Sequence, residues 1–362
     1  MKILAIDTSC DDTSVAVSEN LSIKSNVFWS KIKEYAKWQG VMPLEAKRQH
    51  EEFLPAATEE CFNTAKLSCS DVDAVAVTQG PGLAIALEAG ISCAKNISQK
   101  YKIPLIAVNH MAGHIYSCLA RDENNKPFSG IEDFEFPLIA LTVSGGHTDL
   151  YLMTDHLKFS HIGETIDDAV GESFDKVGRM LGMEYPAGPK IELSAKLGDK
   201  MRYKFPRPLM DQDNFNFSFS GLKTAVLYQI LSILGKYKSK PGKKAFKVDD
   251  LSQNLSTDTI NDLAASFQQA AIDCLVERSE KAVKKYKPKM FIVGGGVIAN
   301  SALREQVENM AERNRIPLYY PKPLWLCTDN AAMIAAVAYF YAQKRDFVKS
   351  PQAIDRIPNL AI

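Results

Sequence analysis

The chain has 362 residues, 46% of them hydrophobic and 24% charged, which is enough apolar material for two or more packed units and excludes a disordered chain. Basic and acidic side chains balance at 43 each, so overall charge points to no polyanionic partner, and it excludes none because a local patch suffices. The 7 cysteines form no Cys-x-x-Cys pair and are odd in number, no run of apolar residues is long enough to span a membrane, and no basic-then-apolar segment precedes the first strand. These features predict a reduced, cytoplasmic protein without membrane contact.

In chain order, Lys2–Ile6 is a short apolar run, followed by the polar turn Asp7–Asp12 and the alternating strand Thr13–Ser18. Leu21–Trp29 completes a meander, and Pro43 opens a helix to about Leu67. Val72–Thr78 reads as a buried strand ending at Gln79-Gly80-Pro81-Gly82, Leu83–Lys100 as a helix, Pro104–Val108 as another buried strand, and a helix starts near His110. The order then begins again. Pro137–Val143, the turn Ser144-Gly145-Gly146-His147, Thr148–Thr154 and Leu157–Gly163 repeat the meander. A mainly helical section, roughly Asp167–Tyr286, precedes the strand Met290–Val293, the helix Ser301–Arg313, the strand Pro317–Tyr320 and the helix Asp329–Gln343. Three strands followed by alternating helix and strand, twice over, predict a duplicated α/β architecture with mixed sheets. The segment 235–247, with six lysines, reads either as a solvated loop or as a contact for an RNA backbone.

Four groups of residues carry candidate chemistry. His110 and His114 are four apart, so a helix puts both imidazoles on one face, where they suit a transition ion or serve as partly buried, capping side chains. Met111 stands where a zinc protease of the His-Glu-x-x-His type carries its glutamate, which argues against a metallopeptidase. The turns Asp7–Thr13 and Val143–Thr148 hold equivalent places in the two halves. Gly145 and Gly146 would let backbone N–H groups approach an anion, or simply close a hairpin. Asp11 and Asp12 are too acidic to hold a phosphate and suit orientation of water, metal or a donor group. Gly294-Gly295-Gly296 precedes a helix that Asn300 would cap or whose end would meet a nucleotide. Asp329 is either a helix cap or a third, oxygen ligand for the histidine pair.

The series Ile6-Asp7-Thr8-Ser9-Cys10-Asp11-Asp12-Thr13, Gly80-Pro81-Gly82-Leu83, His110-x-x-x-His114 and Val143-Ser144-Gly145-Gly146-His147-Thr148 resembles one family. Ile166-Asp167-Asp168-Ala169, Phe174-Asp175-Lys176, Tyr185-Pro186-x-Gly188-Pro189, Phe217–Lys223, Gly295–Asn300 and Cys327-Thr328-Asp329-Asn330 extend the resemblance over nearly the whole chain. The family is TsaD, the tRNA N6-adenosine threonylcarbamoyltransferases. The resemblance implies a two-lobed, actin-like fold of the sugar-kinase and heat-shock ATPase superfamily, with duplicated ribonuclease-H-like domains. It implies one lobe at 1–115 completed by about 329–362, and a second at 116–328 carrying a helical insertion at about 165–286. It also implies transfer of a threonylcarbamoyl group from threonylcarbamoyl-AMP to the N6 amine of the adenosine 3′ of the anticodon, in tRNAs reading codons that begin with A.

By the same resemblance, one divalent ion, ferrous iron first and zinc second, is held by His110, His114 and Asp329. Thr142, Val143, Ser144, Gly145, Gly146, Asp175, Gly188, Glu192 and Asn300 contact the adenylate, and Asp11 is the candidate catalytic base. The implied partners are tRNA, a smaller non-catalytic TsaB-like paralogue and a TsaE-like P-loop ATPase. Two departures stand out: the acid of a Pro-Glu-x-Ala-x-Arg-x-His motif is displaced to Glu45, and Ala112 stands where a glutamate is usual. The alternatives in other classes are a small-molecule kinase or ATPase of the same superfamily, and an inactive scaffold subunit of a tRNA-modification complex.

Overall fold

The computed structural model describes residues 1–30, 42–236 and 251–362. Most of the lysine-rich segment therefore lies outside the described residues.

The first sheet is built from β1 (Lys2–Asp7), β2 (Thr13–Glu19), β3 (Ser22–Trp29), β4 (Ala74–Gly80) and β5 (Leu105–Asn109) in the order β3-β2-β1-β4-β5. β1, β2 and β3 pair antiparallel, while β4 and β5 continue parallel to β1. The second sheet comprises β6 (Leu138–Val143), β7 (Thr148–Asp155), β8 (Lys158–Glu164), β9 (Met290–Gly294) and β10 (Leu318–Tyr319). Its order, β8-β7-β6-β9-β10, reproduces the first strand for strand. The duplication inferred from the order of elements is thus a duplication of topology.

Both faces of each sheet are covered, which explains why the central strands read as nearly continuous apolar runs. Alternate residues of the first sheet go to different cores. Leu4, Ile6, Val15, Val17, Val75 and Val77 pack with α1 (Pro43–Ala65) and α2 (Ala84–Tyr101). Ile3, Ala5, Ala16, Ala74 and Ala76 turn inward to a core shared with the second sheet. There they meet α3 (His110–Tyr116) and α9 (Ala331–Gln343), together with Leu138, Ala140, Met290 and Ile292. A helix enclosed on nearly every side must be apolar all round, as α9 is, and its alanines allow close approach to β1 and β2.

The outer face of the second sheet, with Ile139, Leu141 and Val143, is covered by α4 (Val170–Met180), α5 (Gly188–Ala195), α6 (Ser220–Ile233), α7 (Thr257–Tyr286) and α8 (Ser301–Asn314). Among the described residues, the expected helical stretch 167–286 comprises four α-helices, α4 to α7, and the coil before α6 is pinned by Asp167. That carboxylate accepts from the backbone N–H groups of Phe219 and Ser220 and from the hydroxyls of Ser218 and Ser220. The last helix starts two residues later than expected, at Ala331, because Asn330 caps it and Asp329 stays outside. The strand expected at Pro317–Tyr320 shortens to two residues. No helix among the described residues is long and apolar enough to cross a membrane.

Candidate functional site

The strand ends and loops of the two sheets face each other across a cleft of about 910 Å³, lined by both halves of the chain. At its base stands the histidine pair. Asn109 closes β5 and caps α3, its side chain accepting from the N–H groups of Met111 and Ala112, so His110 begins the helix and His114 lies one turn on. The rings meet edge-on with centroids 4.7 Å apart. Asp329 enters from the far end of the sequence. It is fixed by the start of α9, where Asn330 accepts from the Met333 N–H, and Ser14 and Asn26 of the first sheet accept from those of Ala331 and Ala332.

Asp329 Oδ1 lies 3.4 Å from His110 Nε2 and 3.2 Å from His114 Nε2. Two donors bound to one ion at about 2.1 Å sit roughly 3 to 3.5 Å apart, so these separations fit shared coordination. His114 is fully buried, and both of its ring nitrogens lack a hydrogen-bond partner. Buried polar atoms are rarely left unpartnered. Two imidazole nitrogens and a carboxylate oxygen converging in this way form a donor set able to hold a metal ion.

Asp7, at the end of β1, stands 3.7 Å from His110 Nδ1 and accepts from the Thr78 hydroxyl and the Ser9 N–H. A carboxylate on that side favours the Nδ1–H tautomer and leaves Nε2 for an ion. Without an ion, burial opposes charge on His110, but Asp329 and Asp7 outweigh it and raise its pKa to about 10. Burial acts against the Asp329 carboxylate too, and His110 and His114 override it, holding it well below the usual range.

The turn after β1 carries an acidic pair. Burial raises the Asp11 carboxyl and leaves its Oδ2 without a partner. Burial and the neighbouring Asp11 charge push Asp12 up to about 8. α1 grips this turn from below: Gln49 donates to the Asp11 carbonyl at 2.7 Å, and His50 Nε2 donates to that of Cys10 at 3.1 Å. A carbonyl can only accept, so His50 Nδ1 accepts from the Thr13 hydroxyl 2.8 Å away, and burial holds the ring neutral.

Across the cleft, Ser144 to His147 form a hairpin turn in which the Ser144 N–H donates to the His147 carbonyl at 2.9 Å. Gly145, Gly146 and Gly188 have no positive φ, and a Cβ at each would meet nothing within 4 Å. Neither backbone nor packing requires glycine there, so the open space toward the cleft remains as the reason. Gly294 and Gly295 differ. A Cβ on Gly294 would meet the His114 carbonyl at 2.5 Å, and one on Gly295 the Val143 carbonyl at 2.3 Å, with Gly295 at φ 96°.

Of the residues expected to contact the adenylate, Ser144, Gly145, Gly146, Asp175, Gly188, Glu192 and Asn300 line the cleft. Thr142 and Val143 are fully buried beneath it, outside its lining. Asp175 accepts from the Ala187 N–H at 2.7 Å, and its carboxyl is raised by burial. Glu192 accepts from the Ser301 hydroxyl. Asn300 caps α8 through Leu303 and donates to Gln268 at 2.7 Å, so its capping role is realised at the cleft edge. Glu45 points to Arg48 at 2.9 Å on an exposed face, away from the cleft. Sequence reasoning gave no role in the site to Asp7, Gln49, His50 or Tyr185, which lines the cleft. An acid ending a buried strand was the available signal for Asp7, His50 closes the Pro-Glu-x-Ala-x-Arg-x-His motif and Tyr185 opens Tyr185-Pro186-x-Gly188-Pro189; nothing local marked Gln49.

A family model described as TsaD, tRNA N6-adenosine threonylcarbamoyltransferase, matches residues 22–336. A protein of that name from Kosmotoga olearia is 42% identical over all of this chain and 99% of its own length. One from Staphylococcus haemolyticus is 44% identical, covering 94% of this chain and 91% of its own. Among solved structures, HypF from T. kodakarensis superposes with a TM-score of 0.58 at 12% identity, over 95% of this chain and 48% of its own. The activator of the 2-hydroxyisocaproyl-CoA dehydratase from Clostridium difficile gives 0.50 at 12%, over 96% and 97%. These two likenesses show the two-lobed, actin-like fold alone.

Proposed function

The chain belongs to the TsaD family of tRNA N6-adenosine threonylcarbamoyltransferases, and from that premise we propose how its cleft performs the transfer. The tRNA adenosine supplies the N6 amine, and threonylcarbamoyl-AMP is the donor. We take 1–115 with 329–362 as one lobe and 116–328, with its insertion at 165–286, as the other. His110, His114 and Asp329 hold one divalent ion, ferrous iron before zinc. Bound there, it supplies Lewis-acid stabilisation of negative charge developing on the donor, worth several kcal/mol. The convergence of three donors, with both ring nitrogens of the buried His114 lacking a hydrogen-bond partner, carries this reading.

The chain's own groups do the rest. The backbone N–H groups of Gly145 and Gly146 and the hydroxyl of Ser144, following Thr142 and Val143 at the end of β6, receive the donor's phosphate. Asp175, Gly188, Glu192 and Asn300 border its nucleoside. Asp11, whose carboxyl is raised by burial, takes the proton released by the amine as the bond from N6 to the threonylcarbamoyl carbonyl forms and the bond from that carbonyl to the phosphate oxygen breaks, with AMP leaving. Because the adenine lone pair is delocalised and the donor already activated, alignment of amine and carbonyl supplies most of the acceleration, about 7–11 kcal/mol. A TsaB-like paralogue and a TsaE-like P-loop ATPase are the proposed protein partners.

The test is mass spectrometry of tRNA nucleosides after incubating metal-loaded protein with threonylcarbamoyl-AMP and tRNA. The unaltered protein yields the modified adenosine. His114→Ala and Asp329→Ala lose both bound metal and product while keeping their circular dichroism. Full activity in a metal-free variant would overturn the assignment.

A further inference from the structure

A second convergence of ligand-type side chains lies on the inner face of the second sheet and shares no residue with the histidine pair. Asp149 on β7 and His161 and Glu164 on the edge strand β8 place one donor atom each within 4.8 Å of one another. His161 and Glu164 are three apart, so in a regular strand they would point to opposite faces. The register shifts between Leu150, which pairs with Gly163, and Tyr151, which pairs with His161. The extra residue, Ile162, makes a β-bulge that returns Glu164 to the face of His161, opposite Asp149.

Asp149 has only 6% of its surface exposed. Its Oδ1 faces His161 Nε2 at 3.2 Å, while the buried Oδ2 has no hydrogen-bond partner. The Tyr151 hydroxyl, its pKa raised by burial and by the Asp149 charge, lies beside this carboxylate. The Tyr151 ring stacks on His161 with centroids 4.9 Å apart, which fixes the imidazole with Nε2 toward Asp149. A simple ion pair would engage one carboxylate oxygen and leave the other bare, which buried polar atoms rarely are. Glu164, exposed on the same face, supplies a second carboxylate.

We propose that Asp149, His161 and Glu164 bind a second divalent transition-metal ion, tying the edge strand β8 to β7. One imidazole and two carboxylates suit zinc or manganese. The test is calorimetric titration of Zn²⁺ into the full-length protein stripped with EDTA. Unaltered protein takes up two equivalents, and His161→Ala takes up one while keeping its circular dichroism and its Tm in EDTA. The double variant His110→Ala/His114→Ala still takes up one, which keeps this result independent of the interlobe centre. In that double variant, Glu164→Gln weakens the remaining Zn²⁺ affinity at least tenfold. Equal Zn²⁺ uptake by unaltered protein and His161→Ala, or no uptake by the double variant, overturns the proposal.

Discussion

Glycines divide by what surrounds them. Gly145 and Gly188 face open cleft at ordinary φ, so alanine there adds a methyl group only to the space we assign to the donor. Gly145→Ala and Gly188→Ala should leave folding stability within about 0.5 kcal/mol in urea titrations and raise the KM for threonylcarbamoyl-AMP several-fold. Gly295→Ala should do the reverse, costing more than about 1–2 kcal/mol, because its φ of 96° and the nearby Val143 carbonyl exclude a side chain. The acidic turn makes a pH prediction. With its pKa raised from 3.8 to about 8, Asp12 retains its proton in the folded state where the unfolded chain has lost it. Its contribution to stability is therefore lost as pH rises from about 4 through 8. Asp12→Asn should gain on the order of 1–3 kcal/mol over the unaltered protein at pH 8 and little near pH 4. A gain that is the same at both pH values would contradict the assigned cause.

At the scale of elements, the start of α9 does two jobs. Asn330 accepts from the Met333 N–H and donates to the Thr328 carbonyl at 2.7 Å, so it both begins the helix and shapes the turn carrying Asp329. Asn330→Ala should lower stability by about 0.5–2 kcal/mol, as loss of a cap does. It should also weaken metal retention more than an equally destabilising substitution far from the cleft. Metal content after dialysis, read beside denaturant midpoints, separates the two effects. The grip of α1 on the acidic turn is the same kind of device. Pro43 announces the start of α1 in the sequence, but that Gln49 holds the Asp11 carbonyl and His50 that of Cys10 depends on how that helix lies across β2 and β3.

For the whole molecule, the layer between the sheets is decisive. α3 and α9 share one core with strands from both halves, so the lobes are coupled through packed side chains. Ala335 is fully buried in that layer. Ala335→Leu should overpack it and cost about 1–3 kcal/mol, seen as a lowered urea midpoint. Because α9 also carries the segment bearing Asp329, metal affinity should fall with it.

The sequence by itself determined what short windows can encode. Short apolar runs, alternating at Thr13–Ser18 and nearly continuous in the central strands, marked the sheets, the repeated order of elements marked the duplication, and the four-residue spacing of His110 and His114 marked a shared helix face. The order of motifs carried the family resemblance. That resemblance already joined Asp329 to the histidine pair, and the structure brings them together; tertiary structure alone decided that Asp7 stands beside His110, that Asn300 is spent on its own helix, and that a bulge returns Glu164 to the face of His161. The reason is physical. Periodicity and capping act over a few residues, whereas a contact between chain ends depends on how whole sheets and helices pack, and no local run of residues records that.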